Sequence, residues 1–168
     1  MRGRVPGGRE TMHKRCEPPG GRVVEISREV PAPPDAVYRV LADGWSYGSW
    51  VVGNSRVRQV DESWPEPGSR IHHSAGVWPL RINDVTVVRS VEPERRLDLH
   101  AELWLFGSAE IRITLEPLDS GRTRVVMAEE LTRGPARLVP GPLQTLALWP
   151  RNAESLRRLA DIAVGREA

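Results

Sequence analysis

Three ionisable side chains, His73, Asp84 and Glu129, lie in segments that read as strands and offer acid–base chemistry or an anchor for a polar ligand group. An imidazole near its ordinary pKa exchanges a proton at neutral pH. A carboxyl group shielded from water holds its proton more tightly and can then donate it. These three residues are therefore the candidate catalytic residues, provided that the fold brings them to one place.

Each candidate also has a purely structural interpretation. His73 fits a hydrogen-bonded structural histidine, and Asp84 fits a carboxylate that points outward or adjoins a turn. Glu129 fits a salt bridge, for example with Arg112 or Arg124, because pairing is the usual way in which a buried charge is tolerated. The residue types alone leave both interpretations open for all three positions.

The alternation of side chains along a strand indicates which face each residue occupies. His72 and His73 are adjacent, so they point to opposite faces and cannot share a metal ion. His73 lies on the more apolar parity, with Ile71, Ala75 and Val77. We therefore expect His73 to point inward and His72 outward.

The same rule places Glu129 inward, near the end of its strand, because it shares a parity with Val125, Met127 and Leu131. Glu130 then points outward. A buried carboxylate at position 129 fits a proton donor, a proton acceptor or a ligand anchor, as well as the salt bridge already named.

Two further positions are less clear. The segment 80–91 has apolar residues at both parities, so the direction of Asp84 stays open; pointing inward, it needs a partner or carries a raised pKa. His100 shares its parity with Asp98 and Glu102, opposite a run of leucines, so we expect it to face solvent.

Six tryptophans in a chain with one phenylalanine are a second unusual feature. Five of them lie near predicted element ends, where an aromatic ring with a polar N–H suits the rim of a cavity, although core packing is the simpler role for any one of them. The predicted ligand contacts are Trp50, His73, Trp78, Asp84, Trp104, Met127, Glu129 and Asn152.

The elements that must position these residues follow from periodicity and turn signals. Short loops between consecutive strands indicate an antiparallel sheet. The predicted elements are a strand at 22–30, a helix that opens at Pro33, Pro34 and Asp35 and stops at 43–44, a short helix or structured turn at 45–50, and strands at 55–60, 70–77, 80–91, 97–105, 109–115 and 123–131.

A proline-rich loop at 134–142 leads into a helix from Leu143 to about Val164, which Pro150 should kink or restart. One stripe of this helix is apolar apart from its first residue and needs an apolar surface to cover it. The stripe is Asn152, Leu156, Leu159, Ala160 and Ala163; Arg151, Arg157, Arg158 and Asp161 are expected to face away.

The charge distribution argues against nucleic-acid binding. Residues 1–22 carry a net charge of +4, whereas the remainder carries −2, so the basic character belongs to a leader at 1–21 that we expect to be disordered. Cys16 is the only cysteine, and no stretch is apolar enough to span a membrane. We expect a cytoplasmic protein without a metal or other cofactor, because nucleotide-loop, nucleophile-elbow and metal-cluster motifs do not occur.

The chain resembles the SRPBCC superfamily over about residues 23–165, and most closely its polyketide cyclase/dehydrase-like branch. This resemblance implies an α+β helix-grip fold, in which a curved antiparallel sheet of about seven strands wraps a long C-terminal helix and two short helices follow the first strand. The motifs that carry it are Val-Pro-Ala-Pro-Pro-x-x-Val-Tyr from Val30, Trp50, Gly68, His72-His73-x-x-Gly76-x-Trp78-Pro79, Asp84-x-Thr86, Gly121-x-Thr123 and Arg151-Asn152-x-x-x-Leu156-x-x-Leu159.

Three functions remain in view, because fold does not imply function. The first is binding of a hydrophobic small molecule, such as a lipid, an aromatic or a polyketide-like compound, in an internal cavity. The second is a cyclase, aromatase or dehydratase that works by acid–base catalysis in that cavity. The third is a module that binds a protein partner through the outer face of the sheet.

Overall fold

The computed structural model describes residues 23–75, 82–103, 107–119 and 121–166, with the side chains of 55, 75, 82 and 103 left out. The leader predicted at 1–21 lies outside the described residues. So do Trp78 and Trp104, two of the predicted ligand contacts.

The described strands form one antiparallel seven-stranded sheet in the order β1-β7-β6-β5-β4-β3-β2. Short loops join neighbours from β2 to β7, and the helices that follow β1 carry the chain across the sheet to its far edge. The α+β helix-grip prediction is confirmed. The strands are β1 Val23–Val30, β2 Asn54–Val60, β3 Arg70–Ala75, β4 Ile82–Glu92, β5 Arg96–Leu103, β6 Gly107–Asp119 and β7 Arg122–Arg133.

Three α-helices accompany the sheet in the described part of the chain: α1 Pro34–Ala42, α2 Tyr47–Trp50 and α3 Gly141–Gly165. A 3-10 turn at Gly44–Ser46 precedes α2, and another at Pro135–Leu138 precedes α3. The short element predicted at 45–50 is therefore a 3-10 turn followed by one turn of α-helix.

One face of the sheet, called the inner face here, packs against α1 and α3. Leu156, Leu159 and Ala163 of α3 and Val37 and Val40 of α1 are all at most 1% exposed. Their burial removes apolar side chains from water, worth roughly 1.5–3 kcal/mol for each large residue. The apolar stripe predicted for the closing helix is therefore the buried face of α3.

Asp43 sets the position of α2 relative to α1. Its carboxylate accepts hydrogen bonds from the backbone N–H groups of Trp45 at 3.1 Å and Ser46 at 3.3 Å, so it caps the 3-10 turn as α1 ends. Arg166, just beyond α3, donates to the other oxygen of Asp43 at 2.6 Å. These contacts fix where Tyr47 and Trp50 enter the interior.

Pro150 was expected to kink or restart the closing helix. It does not restart it, since α3 runs as one helix from Gly141 to Gly165. Pro150 is exposed, and so is Leu146, whose carbonyl loses its helical partner. Water can satisfy that carbonyl on the exposed side of the helix, so the chain continues as one helix.

Candidate functional site

A hydrogen-bonded chain of three side chains lies on the inner face, where β3 and β4 meet α2. The Nε2 atom of His73 lies 3.0 Å from the hydroxyl oxygen of Thr86, which lies 3.3 Å from the hydroxyl oxygen of Tyr47. The rings of Tyr47 and His73 are 5.6 Å apart, and Trp50 meets Tyr47 edge-on at 5.3 Å. The single turn of α2 therefore supplies two aromatic side chains to one polar cluster.

Asp84 belongs to the same region. It is the cross-strand partner of His73 in the β3–β4 ladder, so the two side chains project from neighbouring positions on the inner face. Asp84 is 4% exposed, which answers the question that the sequence left open about its direction. His73 also points inward, as predicted, and is 6% exposed.

Three buried polar atoms of this region have no hydrogen-bond partner among the described residues. They are Nδ1 of His73, Oδ1 of Asp84 and Nε1 of Trp50. Buried polar groups in folded proteins are nearly always paired, and an unpaired one costs roughly 1–3 kcal/mol. A local concentration of such atoms on one face indicates a place built to meet a ligand or water.

Burial also shifts the proton affinities of these groups. Burial lowers the pKa of His73 to about 4, with smaller contributions from the positive charges of Arg58 and His72, so its imidazole is neutral at pH 7. Burial raises the pKa of Asp84, and the nearby Glu102 carboxylate raises it further. Burial likewise raises the pKa of the Tyr47 hydroxyl. The cluster thus resists charging.

A second polar group joins α3 to β7. Glu129, 2% exposed, accepts a hydrogen bond from the amide nitrogen of Asn152 at 2.7 Å and forms a buried ion pair with Arg151. Arg151 also donates to the side-chain oxygen of Asn152 at 3.0 and 3.1 Å. Both charges are therefore paired. The charges of Arg151, Glu129 and Asp84 all act on the pKa of the Tyr47 hydroxyl, so the two polar groups are close together.

One sequence expectation about this group is wrong: Arg151 was expected to face away from the core. The salt bridge that the sequence offered as one interpretation of Glu129 is present, but its partner is Arg151 and not the examples Arg112 or Arg124. Instead, the long Arg151 side chain turns inward from the edge of the buried stripe and neutralises Glu129, because an unpaired carboxylate there would be costly. Arg112 and Arg124 point to the outer face, where they pair with other acids.

Three of the other predicted contacts are buried. They are Trp50, Met127 and Asn152, at 2%, 4% and 1% exposure.

His100, which was not a predicted contact, lies on the outer face as predicted. It is not open to solvent, because its Nδ1 atom lies 2.7 Å from Glu110 and its imidazole is only 13% exposed.

Three residues of the site escaped the sequence analysis as functional candidates. Thr86 had a signal, since it shares the inner parity of Asp84 two positions along β4. Tyr47 and Arg151 had none, because their positions depend on how α2 and α3 dock on the sheet.

A groove of about 540 Å³ opens elsewhere, on the outer face of the sheet. Its lining is largely charged, and several of its members are paired, as in the 2.8 Å contact between Arg112 and Asp98. This charged surface counts against the hypothesis that an apolar partner docks on the outer face. Among the lining residues are Arg89, Asp98, Glu110, Arg112, Glu130 and Arg137, and none of the catalytic candidates.

The depressed pKa of His73 predicts a loss of stability in acid. The unfolded chain binds a proton below about pH 6.5, whereas the folded protein resists protonation until about pH 4. From pH 7 to pH 5, the free energy of unfolding should therefore fall by about 2 kcal/mol more in the wild type than in His73→Gln. Urea unfolding at both pH values measures this difference. His72→Gln, which keeps the buried imidazole, should retain the wild-type loss, and an equal loss in His73→Gln would contradict the assignment.

The buried ion pair predicts an asymmetry between its two halves. Arg151→Met leaves Glu129 charged and almost fully buried, which should lower the free energy of unfolding by about 3–5 kcal/mol. Glu129→Gln leaves an arginine whose side chain is 33% exposed and can turn to water, so the loss should be about 1–2 kcal/mol. Urea unfolding compares the two; a larger loss in Glu129→Gln would show that the pairing is misassigned.

Neither a membrane-spanning helix nor a cluster of metal ligands occurs within the part of the chain that the structure describes. No helix there is long and apolar enough to cross a membrane. No group of three or more His, Cys, Asp or Glu side chains there could hold a metal ion.

Several solved structures share this architecture. The ZhuI aromatase/cyclase from Streptomyces sp. R1128 has a TM-score of 0.69 at 18% identity, with 89% of this chain and 97% of that chain covered. Ara h 8.0201 has a TM-score of 0.67 at 13% identity, with 87% of this chain and 99% of that chain covered. The di-domain ARO/CYC protein BexL from the BE-7585A pathway gives 0.62 at 19% identity over 83% of this chain and 45% of its own. At these identities the likeness shows the fold alone.

No curated protein sequence matches the chain significantly. A family model does match, over residues 22–163, and it describes "Polyketide cyclase / dehydrase and lipid transport". That match covers all seven strands, α1, α2 and nearly all of α3. The chain therefore belongs to the polyketide cyclase/dehydrase and lipid transport family of the SRPBCC superfamily.

Proposed function

We propose that the protein binds a neutral, largely apolar small molecule between α3 and the inner face of the sheet, and that Trp50, His73 and Asp84 hold its polar groups. The observation that carries this proposal is the set of three buried, unpartnered polar atoms on these side chains. The family's description, which includes cyclases, dehydrases and lipid transport, supports the same class of ligand.

The unpartnered atoms suggest which groups the ligand carries. Trp50 Nε1–H is a donor and calls for a keto, ether or hydroxyl oxygen. Asp84 Oδ1 calls for a donor while the carboxyl is ionised, and a neutral His73 supplies either role according to its tautomer. A hydroxylated or keto-bearing ring compound would match these groups and recover the cost of leaving them unpaired.

The charge balance of the interior favours a neutral ligand over an ionised one. The charge of Arg151 is already paired with Glu129, and the depressed pKa of His73 keeps the imidazole ring uncharged. Arg58 lies near enough to lower the pKa of His73, but it is exposed, where water screens its charge. Burial raises the pKa of Asp84, so a second negative charge beside it would be costly. Polyketide-, flavonoid- or sterol-like compounds therefore fit better than fatty-acid anions.

A binding assay with emodin and naringenin, two neutral hydroxylated ring compounds, tests the proposal. We expect saturable quenching of tryptophan fluorescence, and about tenfold weaker binding for Trp50→Phe, which loses a buried donor, and for Asp84→Asn, which replaces a charged acceptor by a weaker neutral amide. Because burial raises the pKa of Asp84, its ionised form costs stability at neutral pH. Asp84→Asn should therefore be more resistant to urea than the wild type.

Matched controls separate this site from the rest of the molecule. Trp45→Phe changes a tryptophan of the same segment that is 61% exposed, and Asp98→Asn changes a carboxylate on the outer face. Both should bind as the wild type does. Absence of saturable binding to either compound, together with no co-purifying small molecule in native mass spectrometry, would refute the proposal, as would equal weakening by the controls.

A second candidate function, ring closure of a poly-β-ketone, is supported by the pairing of His73 with Asp84. In such a reaction a base removes a proton between two carbonyls, the carbanion attacks a third carbonyl, and an acid protonates the new alkoxide. His73 is neutral and can accept the proton, but a pKa of about 4 makes it a weaker base than an ordinary imidazole; Asp84, whose pKa is raised, fits the acid. Glu129 is the weakest of the three catalytic candidates, because Arg151 and Asn152 occupy it.

The cyclase alternative predicts turnover, which binding alone does not. If it holds, a linear tetraketide thioester with carbonyls at C1, C3, C5 and C7 should cyclise faster in the presence of the protein, since its C2 carbanion closes a six-membered ring on C7. His73→Asn and Asp84→Asn should each lower the rate by about 100-fold, the usual contribution of one acid or base. Asp98→Asn serves as the control. Liquid chromatography measures the rate of product formation. If the wild type forms product no faster than buffer alone, the protein is a binder and not a cyclase.

A further inference from the structure

The segment that leads into α3 exposes five large apolar side chains within twelve residues. Leu138 is 84% exposed, Leu146 71%, Leu143 54%, Trp149 51% and Val139 40%. Monomeric soluble proteins rarely expose contiguous apolar patches of this kind without a binding role. We call these five residues the apolar ridge.

The ridge lies outside the packed core. Leu143, Leu146 and Trp149 recur every three residues, so they wind around about a third of the circumference of α3. Gln144 lies on the opposite, buried side, whereas Trp149 stands seven residues before Leu156 and continues the line of the buried stripe beyond the core. All five ridge residues are exposed, so the packing of the core does not require them.

The ridge is held in a fixed shape. The side-chain amide of Gln144 donates to the backbone carbonyls of Ala136 at 3.2 Å, Arg137 at 3.3 Å and Val139 at 2.8 Å. These bonds tie the 3-10 turn Pro135–Leu138 to the first turn of α3, so that Leu138 and Leu143 are presented by one corner.

The charge of the surrounding segment is of one sign. From residue 131 to residue 153 the sequence contains Arg133, Arg137 and Arg151 and no acidic residue. Arg151 pairs with Glu129, whereas Arg133 and Arg137 are exposed and form no ion pair with the residues that the structure describes. Arg137 also lines the outer-face groove, where Glu110 and Glu130 are nearby acids. An apolar ridge with exposed arginines beside it matches a surface that is apolar below and anionic above.

We propose that the apolar ridge docks the protein on the surface of an anionic lipid bilayer, with the leucines and Trp149 in the acyl boundary and Arg133 and Arg137 on the headgroups. Exposed leucines, an interfacial tryptophan and basic residues are the composition of such membrane-surface segments. The inference does not depend on the proposed ligand, because none of the five ridge residues is a proposed ligand contact.

A second copy of the chain fits the ridge less well. A two-fold dimer through this surface would bring the same arginines together from both subunits, with no acid in the segment to pair with them. A protein partner would need a groove that accommodates a protruding side chain as exposed as Leu138, whereas lipids adapt to any protruding shape.

Sedimentation with lipid vesicles tests the proposal on the full chain, without added ligand. We expect binding to mixed phosphatidylcholine–phosphatidylglycerol vesicles, and about tenfold weaker binding for Leu138→Ser/Leu146→Ser. Arg133→Gln/Arg137→Gln should lower binding to the anionic vesicles by about tenfold and leave binding to pure phosphatidylcholine unchanged. Since all four positions are exposed, circular dichroism and urea unfolding should stay close to the wild type.

Matched controls use exposed residues away from the ridge. Leu118→Ser/Val164→Ser removes two apolar side chains that are 36% and 38% exposed, and Arg28→Gln/Arg70→Gln removes two exposed arginines. Both controls should bind vesicles as the wild type does. Lipids brominated in the acyl chain should quench the fluorescence of the wild type, and this quenching should diminish in Trp149→Phe but persist in Trp45→Phe.

Three results would overturn the inference. The first is no sedimentation with anionic vesicles, and the second is wild-type binding by the ridge double variant. The third is a dimer, detected by light scattering, that dissociates in Leu138→Ser/Leu146→Ser, which would assign the ridge to a second copy. Binding of emodin or naringenin is measured without vesicles, so failure of one proposal leaves the other standing.

Discussion

The arrangement of the interior depends on the burial of one carboxylate, Glu129, under α3. A charge with 2% exposure is tolerated only when it is paired, and Arg151 and Asn152 both donate to its Oε2 atom from the first turn beyond Pro150. This requirement fixes the rotation of α3 about its axis. With Asn152 turned toward β7, Leu156 and Leu159 on the same side of the helix fall onto the sheet.

The contrast with the neighbouring cluster carries the functional argument. Glu129 is paired: Arg151 and Asn152 both donate to its Oε2 atom, and this network stabilises the packing. At His73, Asp84 and Trp50, by contrast, burial is equally deep but one polar atom of each side chain is unpaired. A fold that pairs one buried charge and leaves three polar atoms nearby unsatisfied is consistent with a binding site kept at some cost in stability.

Much of this arrangement follows from the sequence, and its gaps have physical causes. Strict alternation placed His73 and Glu129 on the inner face. It could not place Asp84, because a register shift between Val88 and Ser90 changes the parity within β4. Beyond that shift Val91 faces inward, whereas Asp84 and Val88 do so before it, so the strand shows apolar residues at both parities. The orientation of Arg151 was mispredicted for another reason. Its side chain is long, so it can reach a buried partner from the edge of the stripe.

The two halves of α3 follow different rules, and that difference separates stability from function. The C-terminal half buries Leu156, Leu159 and Ala163 as an amphipathic helix should. The N-terminal half exposes Leu143 and Leu146 on the side opposite the fold, where they add nothing to the core. Consistency between pattern and packing is the usual state of a natural domain, and departures concentrate where a protein binds something. The departures here are the unpartnered polar atoms of α2, β3 and β4 and the exposed leucines of α3, so the proposed ligand site and the proposed membrane-facing surface lie on different elements.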